Sequence, residues 1–156
     1  MDADTILFHL RRFLLALAGL LFLGAMIELS FSEHTENPVQ FIPFILCGLG
    51  VVAVVAALAR PRRKPLLILR ASMALVALGS LLGLYEHAAN NLAFQLEVQP
   101  NLTSLQMITA ALGGASPLLA PGVLGLAAVL AAAATYYHPA LTAIAGSEVE
   151  NKNLPI

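Results

Sequence analysis

Two short segments of the sequence place a glutamate directly before a histidine. Glu33–His34 and Glu86–His87 each begin the pattern E-H-x-x-N-x-x-x-F, and the two copies lie 53 residues apart. Imidazole nitrogens and carboxylate oxygens are ligands that zinc, iron, manganese and copper accept in proteins. With Glu28, a nearby third glutamate, these residues are the candidate ligands of a metal or haem site on one face of the protein.

The same pattern also has a structural interpretation. Asn37 followed by Pro38 is typical of a helix start, because asparagine caps the first turn and proline is tolerated at the first helical position. Asn90 in the second copy likewise suits a helix terminus. Adjacent helical residues point about 100° apart, so a glutamate and the histidine after it do not face one site equally well. The repeat is either a helix-boundary signal or the remains of a duplicated two-helix hairpin, and both interpretations stay open.

Glu28 lies within an apolar segment, where an ionisable side chain is by default a candidate for function. Small multidrug transporters also carry a glutamate in the first of four spans, but they place it near the middle of the membrane. Glu28 is close to the end of its segment. A small-solute or lipid transporter that couples Glu28 to protons is therefore a second alternative, behind metal or haem binding.

Composition indicates where these residues lie. Of the 156 residues, 59% are hydrophobic and 11% are charged, whereas soluble domains carry about 25% charged residues. Four segments are apolar over the roughly 20 residues that a transmembrane helix needs, namely 10–31, 39–59, 66–85 and 117–137. The sequence predicts an all-α protein with one integral membrane domain, a four-transmembrane-helix bundle in contact with the lipid bilayer.

The longest connection, residues 86–116, carries a second helical pattern. Leu105, Ile108 and Leu112 recur in it at helical spacing, with polar residues between them. This arrangement predicts a short interfacial helix in an outer loop, just before the fourth span.

The basic residues fall on one side of the four predicted spans. Arg11 and Arg12 precede the first span, three arginines and a lysine occupy the turn at 60–64, and Lys152 follows the fourth span. Arg70, about one turn inside the third span, is expected to reach the lipid headgroups. Because short loops rich in Lys and Arg stay in the cytoplasm, both termini are predicted to be cytoplasmic. The basic turn anchors this topology or, alternatively, contacts anionic lipid or an acidic partner.

The fourth apolar segment is rich in alanine and glycine. In lipid, small residues let helices approach closely. They serve either packing within the chain or docking of another subunit. The leading functional hypothesis is a structural or accessory membrane protein that packs against itself, as a homo-oligomer, or against a larger membrane complex.

Several function classes find no support in the sequence. It has no glycine-rich phosphate loop, no GxSxG element and no HExxH motif, so an enzyme is not expected. Tryptophan is absent and the net charge is −1, which disfavours a nucleic-acid partner.

Four stretches carry a resemblance to a group of uncharacterised small bacterial four-span integral membrane proteins. They are Leu84–His87, Asn91–Phe94 with Glu97 and Pro100, Ala120–Gly122, and Thr135–Leu141. The resemblance covers mainly the C-terminal half of the chain. It implies a multi-pass protein of the bacterial inner membrane and transfers no catalytic or binding residue.

Overall fold

The structure is a computed structural model that describes residues 2–31 and 37–142. Helices make up 85% of these residues, and none of them lies in a strand. The prediction of an all-α protein is therefore confirmed. The α-helices are α1 (Ala3–Phe31), α2 (Ile42–Ala59), α3 (Arg63–Val98), α4 (Ser104–Gly113) and α5 (Leu119–Ala133), and a 3₁₀ turn, Pro38–Phe41, leads into α2.

Three helical segments are long and apolar enough to cross a membrane: α1, α2 together with its 3₁₀ turn, and α3. A multi-pass membrane protein therefore agrees with helix length and hydropathy. The fourth apolar segment forms α5, which has 15 residues. At about 1.5 Å per residue α5 is about 22 Å long, shorter than the roughly 30 Å hydrocarbon core of a bilayer.

The beginnings of two helices follow from local capping chemistry. Asn37 is the N-cap of the 3₁₀ turn, with Pro38 in its first position, and the Asn37 backbone N–H donates to Gln40 Oε1 at 3.0 Å. The same reciprocal arrangement starts α4, where the Thr103 backbone N–H donates to Gln106 Oε1 at 2.9 Å. The predicted helix start at Asn37 and the predicted short helix before the fourth span are both confirmed.

Helix α3 continues far beyond the third apolar segment. From the sequence, residues 86–116 are expected to be a loop with one short helix and Asn90 to suit a helix end, but α3 runs without interruption to Val98. No glycine or proline occurs between Leu84 and Gln99, and Pro100 then ends the helix by forcing the residue before it into an extended conformation. The loss of hydropathy after Tyr85 therefore does not mark the end of the helix.

Four helices pack in a ring in the order α1, α2, α3, α5, with α5 closing against α1. Helices α1 and α3 lie on one diagonal and have no close backbone contact, while α4 packs on α3 alone. The core between the helices is apolar and includes the fully buried side chains of Phe22, Val54 and Leu69.

Small residues permit the close approach of these helices. A Cβ on Gly50 would lie 2.7 Å from the Phe22 ring, and a Cβ on Gly125 would lie 2.6 Å from Ser80 Oγ. The alanines at 127, 128, 131 and 134 are buried inside the bundle. The small residues that the sequence left open to two interpretations are thus largely used for packing within the chain.

Candidate functional site

The predicted Glu-His ligands are only partly placed by the structure. Glu33 and His34 lie outside the described residues. Glu86 is exposed on α3, His87 beside it is half-buried, and Glu28 is exposed on α1, one turn before the end of that helix. The different burial of Glu86 and His87 follows from the 100° or so between adjacent helical residues.

The described part of the chain does not assemble a metal site. Within residues 2–31 and 37–142, no three His, Cys, Asp or Glu side chains are grouped as a metal ion would require. Helices α1 and α3, which carry Glu28 and His87, occupy opposite corners of the ring. Since Glu33 and His34 are not described, the predicted metal or haem site stays a prediction.

His87 nevertheless has an unusual environment. Its Nδ1 atom is buried and has no hydrogen-bond partner in the described structure. An unsatisfied buried polar atom costs about 1–3 kcal/mol. Such an atom is stabilised when a water, a proton donor or a cation reaches it.

The best-defined polar contacts at this end belong to Asn91, which is 4% exposed. Its Nδ2 donates to the carbonyl oxygens of Ala111 at 3.2 Å and Ser116 at 2.9 Å, and its Oδ1 accepts from the Ser116 backbone N–H at 2.8 Å. Gly114 approaches the Asn91 side chain so closely that a Cβ at this position would collide with it. One side chain of α3 therefore holds the end of α4 and the turn that follows it.

Together, the last part of α3 and α4 form a helical hairpin, residues 86–113, at one end of the bundle. Three apolar residues of α4 are exposed: Leu105 (71%), Ile108 (57%) and Leu112 (64%). Because they recur at positions i, i+3 and i+7, they lie on one side of the helix. We call these three residues the α4 face.

The opposite end of the bundle is closed by two arginines. Arg11 of α1 donates to the Tyr137 carbonyl at 3.1 Å, and Arg70 of α3 donates to Thr135 Oγ1 at 2.8 Å and to the Thr135 carbonyl at 3.0 Å. Thr135 is buried, and Tyr137 has a positive φ of 44° where the chain turns after α5. The guanidinium groups thus satisfy carbonyls at the negative end of the α5 dipole.

A cavity of about 450 Å³ lies at this basic end. Its walls come from the first part of α1, the turn between α2 and α3, and the residues after α5. Arg11, Arg12 and His138 supply polar groups, whereas buried Leu15 and Leu66 contribute an apolar floor. The cavity shows that the first part of α1, the basic turn and the chain after α5 meet at one end.

His138 accepts a hydrogen bond at Nδ1 from the Ala140 backbone N–H at 3.2 Å. Burial lowers the pKa of His138 below its usual range, and the positive charge of Arg11 lowers this pKa further. Both effects favour the neutral imidazole.

Sequence reasoning missed Asn91 and Thr135 as structural residues. Asn91 lay in a segment interpreted as a loop, and Thr135 lay near the end of an apolar run without an evident partner. The bonds of Arg70 to Thr135, which were not predicted, hold it against α5, and its reach to the headgroups stays a prediction. The sequence contains one indication of this contact: Arg70 and Thr135 lie at the same predicted end of two apolar segments.

The comparisons with known proteins add no relative: the chain matches no protein-family model, no curated protein and no solved structure.

Proposed function

We propose that the protein is a four-span membrane protein that acts as a structural or accessory subunit, and that the α4 face binds its partner protein. Helix α5 packs against both α1 and α3, which supports its crossing the membrane with them. The turn at 134–137 lengthens the apolar stretch after α5. It carries the exposed rings of Tyr136 and Tyr137, and tyrosine concentrates at membrane interfaces.

The basic end is the cytoplasmic end in this proposal. Arg11, Arg12 and the basic turn at 60–64 are brought to one end of the bundle. The excess of Lys and Arg in short cytoplasmic loops then places the α3–α4 hairpin on the outer side. The resemblance to bacterial four-span proteins supports the bacterial inner membrane as the location.

The ring arrangement also supports an origin from two duplicated hairpins. A two-fold axis along the membrane normal would exchange α1 with α3 and α2 with α5. These are the two diagonals of the observed ring. The 53-residue offset between the repeated patterns likewise relates α1 to α3.

The observation that carries the subunit role is the α4 face, because it is apolar and lies beyond the reach of the bilayer core. Helix α3 has 36 residues, so at about 1.5 Å per residue it exceeds a 30 Å hydrocarbon core by about 24 Å. Exposed apolar patches outside the membrane typically mark protein interaction sites.

A partner protein fits this face better than the membrane surface does. Helices that lie in the membrane interface typically carry Lys and Arg on their polar side. Helix α4 contains no charged residue at all. Its polar side, with Gln106 and Thr109, is suited to water or to a neutral protein surface.

The test compares Ile108→Asp with Ser104→Asp, which adds the same charge to the first turn of the same helix. The protein is expressed at native level and its assembly size is measured in a mild detergent. We expect Ile108→Asp to weaken assembly about 30-fold, as for an interface residue worth about 2 kcal/mol. Ser104→Asp should leave assembly unchanged, because an acidic residue at a helix start is compatible with the helix dipole.

A photo-crosslinking residue at position 108 identifies what covers the face. A discrete protein adduct supports the proposal, and an adduct between two copies of this chain identifies a homo-oligomer. Adducts with lipid alone, or a wild-type protein that is monomeric and without partners, would contradict it.

A second candidate function is metal or haem binding at the hairpin end, which the unpartnered Nδ1 of His87 favours. Elemental analysis and an absorption spectrum of the purified protein test it. Bound metal or haem that is lost in both His87→Ala and His34→Ala would support this candidate. Protein without either group would exclude it.

A further inference from the structure

The cavity at the basic end combines cationic and apolar walls. Arg11, Arg12 and His138 line one part, and Leu15, Ala57 and Leu66, all buried, line another. Its volume of about 450 Å³ falls within the range of roughly 300–1,000 Å³ that is usual for ligand sites. A ligand that fits both walls must carry an anionic group and a hydrocarbon part.

The arginines keep donors available for such an anion. A guanidinium has five N–H groups in a planar fork that matches phosphate oxygens. Arg11 uses one nitrogen, Nη2, for the carbonyls of Tyr136 and Tyr137. Arg12 contacts the Phe8 ring, with its Cζ 5.5 Å from the ring centroid, and donates no hydrogen bond within the described residues.

The charge around the cavity is positive. Asp4 is the one carboxylate among the residues that line it, against two arginines. The basic turn at 60–64 adds four positive charges beside Pro61, which lies on the cavity wall. An anion at this position is therefore attracted by fixed charges that the described structure leaves without ion pairs.

The depth of the site fits a lipid. Arg11 and Phe31 are 20 residues apart on one helix, or about 30 Å, which equals the hydrocarbon thickness. With Phe31 at the outer boundary of the hydrocarbon core, Arg11 and Arg12 lie at the level where lipid phosphates begin.

We propose that this cavity binds an anionic phospholipid of the cytoplasmic leaflet. Arg11 and Arg12 are adjacent on α1, but both line the cavity, so their long side chains can hold the headgroup phosphate together, with the glycerol end of the acyl chains over Leu15 and Leu66. A soluble phosphate compound would leave the apolar wall at Leu15 and Leu66 in contact with water. A zwitterionic lipid would bring its own cation toward the arginines. An anionic lipid satisfies both walls.

The test measures lipid retained by the full chain in native mass spectrometry from detergent, after incubation with equal amounts of dioleoylphosphatidylglycerol and dioleoylphosphatidylcholine. We expect the anionic lipid to be retained at least about tenfold more strongly. Arg12→Gln should reduce this preference more than about fivefold, because one basic residue near a membrane surface contributes about that factor by general charge attraction alone. This variant keeps the bond of Arg11 to Tyr137, so the bundle stays closed.

Arg63→Gln is the matched control, since Arg63 is an exposed arginine at the same end that does not line the cavity. It should reduce the preference clearly less than Arg12→Gln does, because the charge of Arg63 acts on the anion only from outside the cavity. Inorganic phosphate up to 10 mM is added in a further arm and should not displace the lipid. If Arg12→Gln and Arg63→Gln reduce the preference for the anionic lipid equally, the proposal is overturned in favour of general charge attraction. Displacement by phosphate would overturn it in favour of a site for soluble anions.

Discussion

Asn91 shows how much one polar side chain can organise at the scale of single residues. It lies in α3, is almost fully buried, and makes three hydrogen bonds to the backbone of Ala111 and Ser116. Ala111 lies in the last turn of α4, where carbonyls lack partners within the helix, and Ser116 follows the helix. Asn91 therefore sets the position of α4, and with it the position of the α4 face.

We predict that Asn91→Ala loosens the hairpin and lowers the free energy of unfolding by about 1–3 kcal/mol, the cost of leaving buried backbone groups unsatisfied. Hydrogen exchange of residues 104–116 should become faster in this variant. Asn90→Ala is the control, because Asn90 is exposed on the same helix turn. Equal exchange in the two variants would show that Asn91 does not hold the hairpin.

His138 gives a second prediction at this scale. Its pKa is lowered first by burial and then by Arg11, so protonation is harder in the folded state than in the unfolded state. The neutral imidazole of His138 is therefore favoured in the folded state. Its contribution to the free energy of unfolding is complete above the unfolded pKa of about 6.5 and is lost as the pH falls below that value. The charged groups that line the cavity with it are Arg11, Arg12 and Asp4.

The free energy of unfolding in detergent should therefore fall between pH 7 and pH 5 more steeply for the wild type than for His138→Gln. An NMR titration of the His138 ring should give a midpoint below the usual value. Arg11→Gln should raise that midpoint but not restore the usual value, because burial, the larger cause, remains. A midpoint above the usual value would contradict the expected burial.

At the scale of helices, close approach depends on where glycine lies on each helix. Gly50 of α2 faces the fully buried ring of Phe22, whereas Gly24 of α1 has no neighbouring atom within 4 Å of the position of a Cβ. Two glycines that look alike in the sequence therefore have different roles.

We predict that Gly50→Ala destabilises the bundle by about 1–3 kcal/mol, because the methyl group and the Phe22 ring cannot occupy the same space. Gly24→Ala should leave stability unchanged or slightly higher, since alanine favours helices more than glycine does. Unfolding of both variants in mixed detergent and SDS, followed by circular dichroism, measures the difference. A tolerant Gly50→Ala would mean that α1 and α2 are packed less tightly than described.

Features that depend on neighbouring residues could be predicted from the sequence, whereas features that depend on contacts between helices could not. The helix start at Asn37 and the apolar spacing of α4 depend on residues a few positions apart, and local chemistry is enough to predict them. The extension of α3 to Val98 was missed because polarity was interpreted as a helix end, although only Pro100 can stop the helix. Asn90 and Asn91 differ by about 100° about the axis of α3. Hydropathy does not show which of these two polar residues faces the bundle. The ring order and the cavity depend on contacts between distant residues.

For the whole molecule, the two ends of the bundle have different chemistry. At one end, Arg11 and Arg70 donate hydrogen bonds to the carbonyls that follow α5, beside the cavity for which we propose an anionic lipid. The other end carries a hairpin that is held by Asn91 and exposes the α4 face. The proposed binding of lipid at one end and of a partner at the other requires a fixed orientation in the membrane, and the distribution of arginines predicts one with the basic end in the cytoplasm.

This orientation predicts opposite accessibility for the two ends. The chain has one cysteine, Cys47, which is fully buried and should not react, so new cysteines can be introduced without removing it. We expect a membrane-impermeant maleimide to label Ser104→Cys in intact bacterial spheroplasts and to label Arg62→Cys only after the membrane is opened. Both positions are exposed and outside the long apolar stretches, so a difference between them reports the side of the membrane and not burial. Labelling of both positions from the same side would be incompatible with α3 crossing the bilayer, because these two residues flank it.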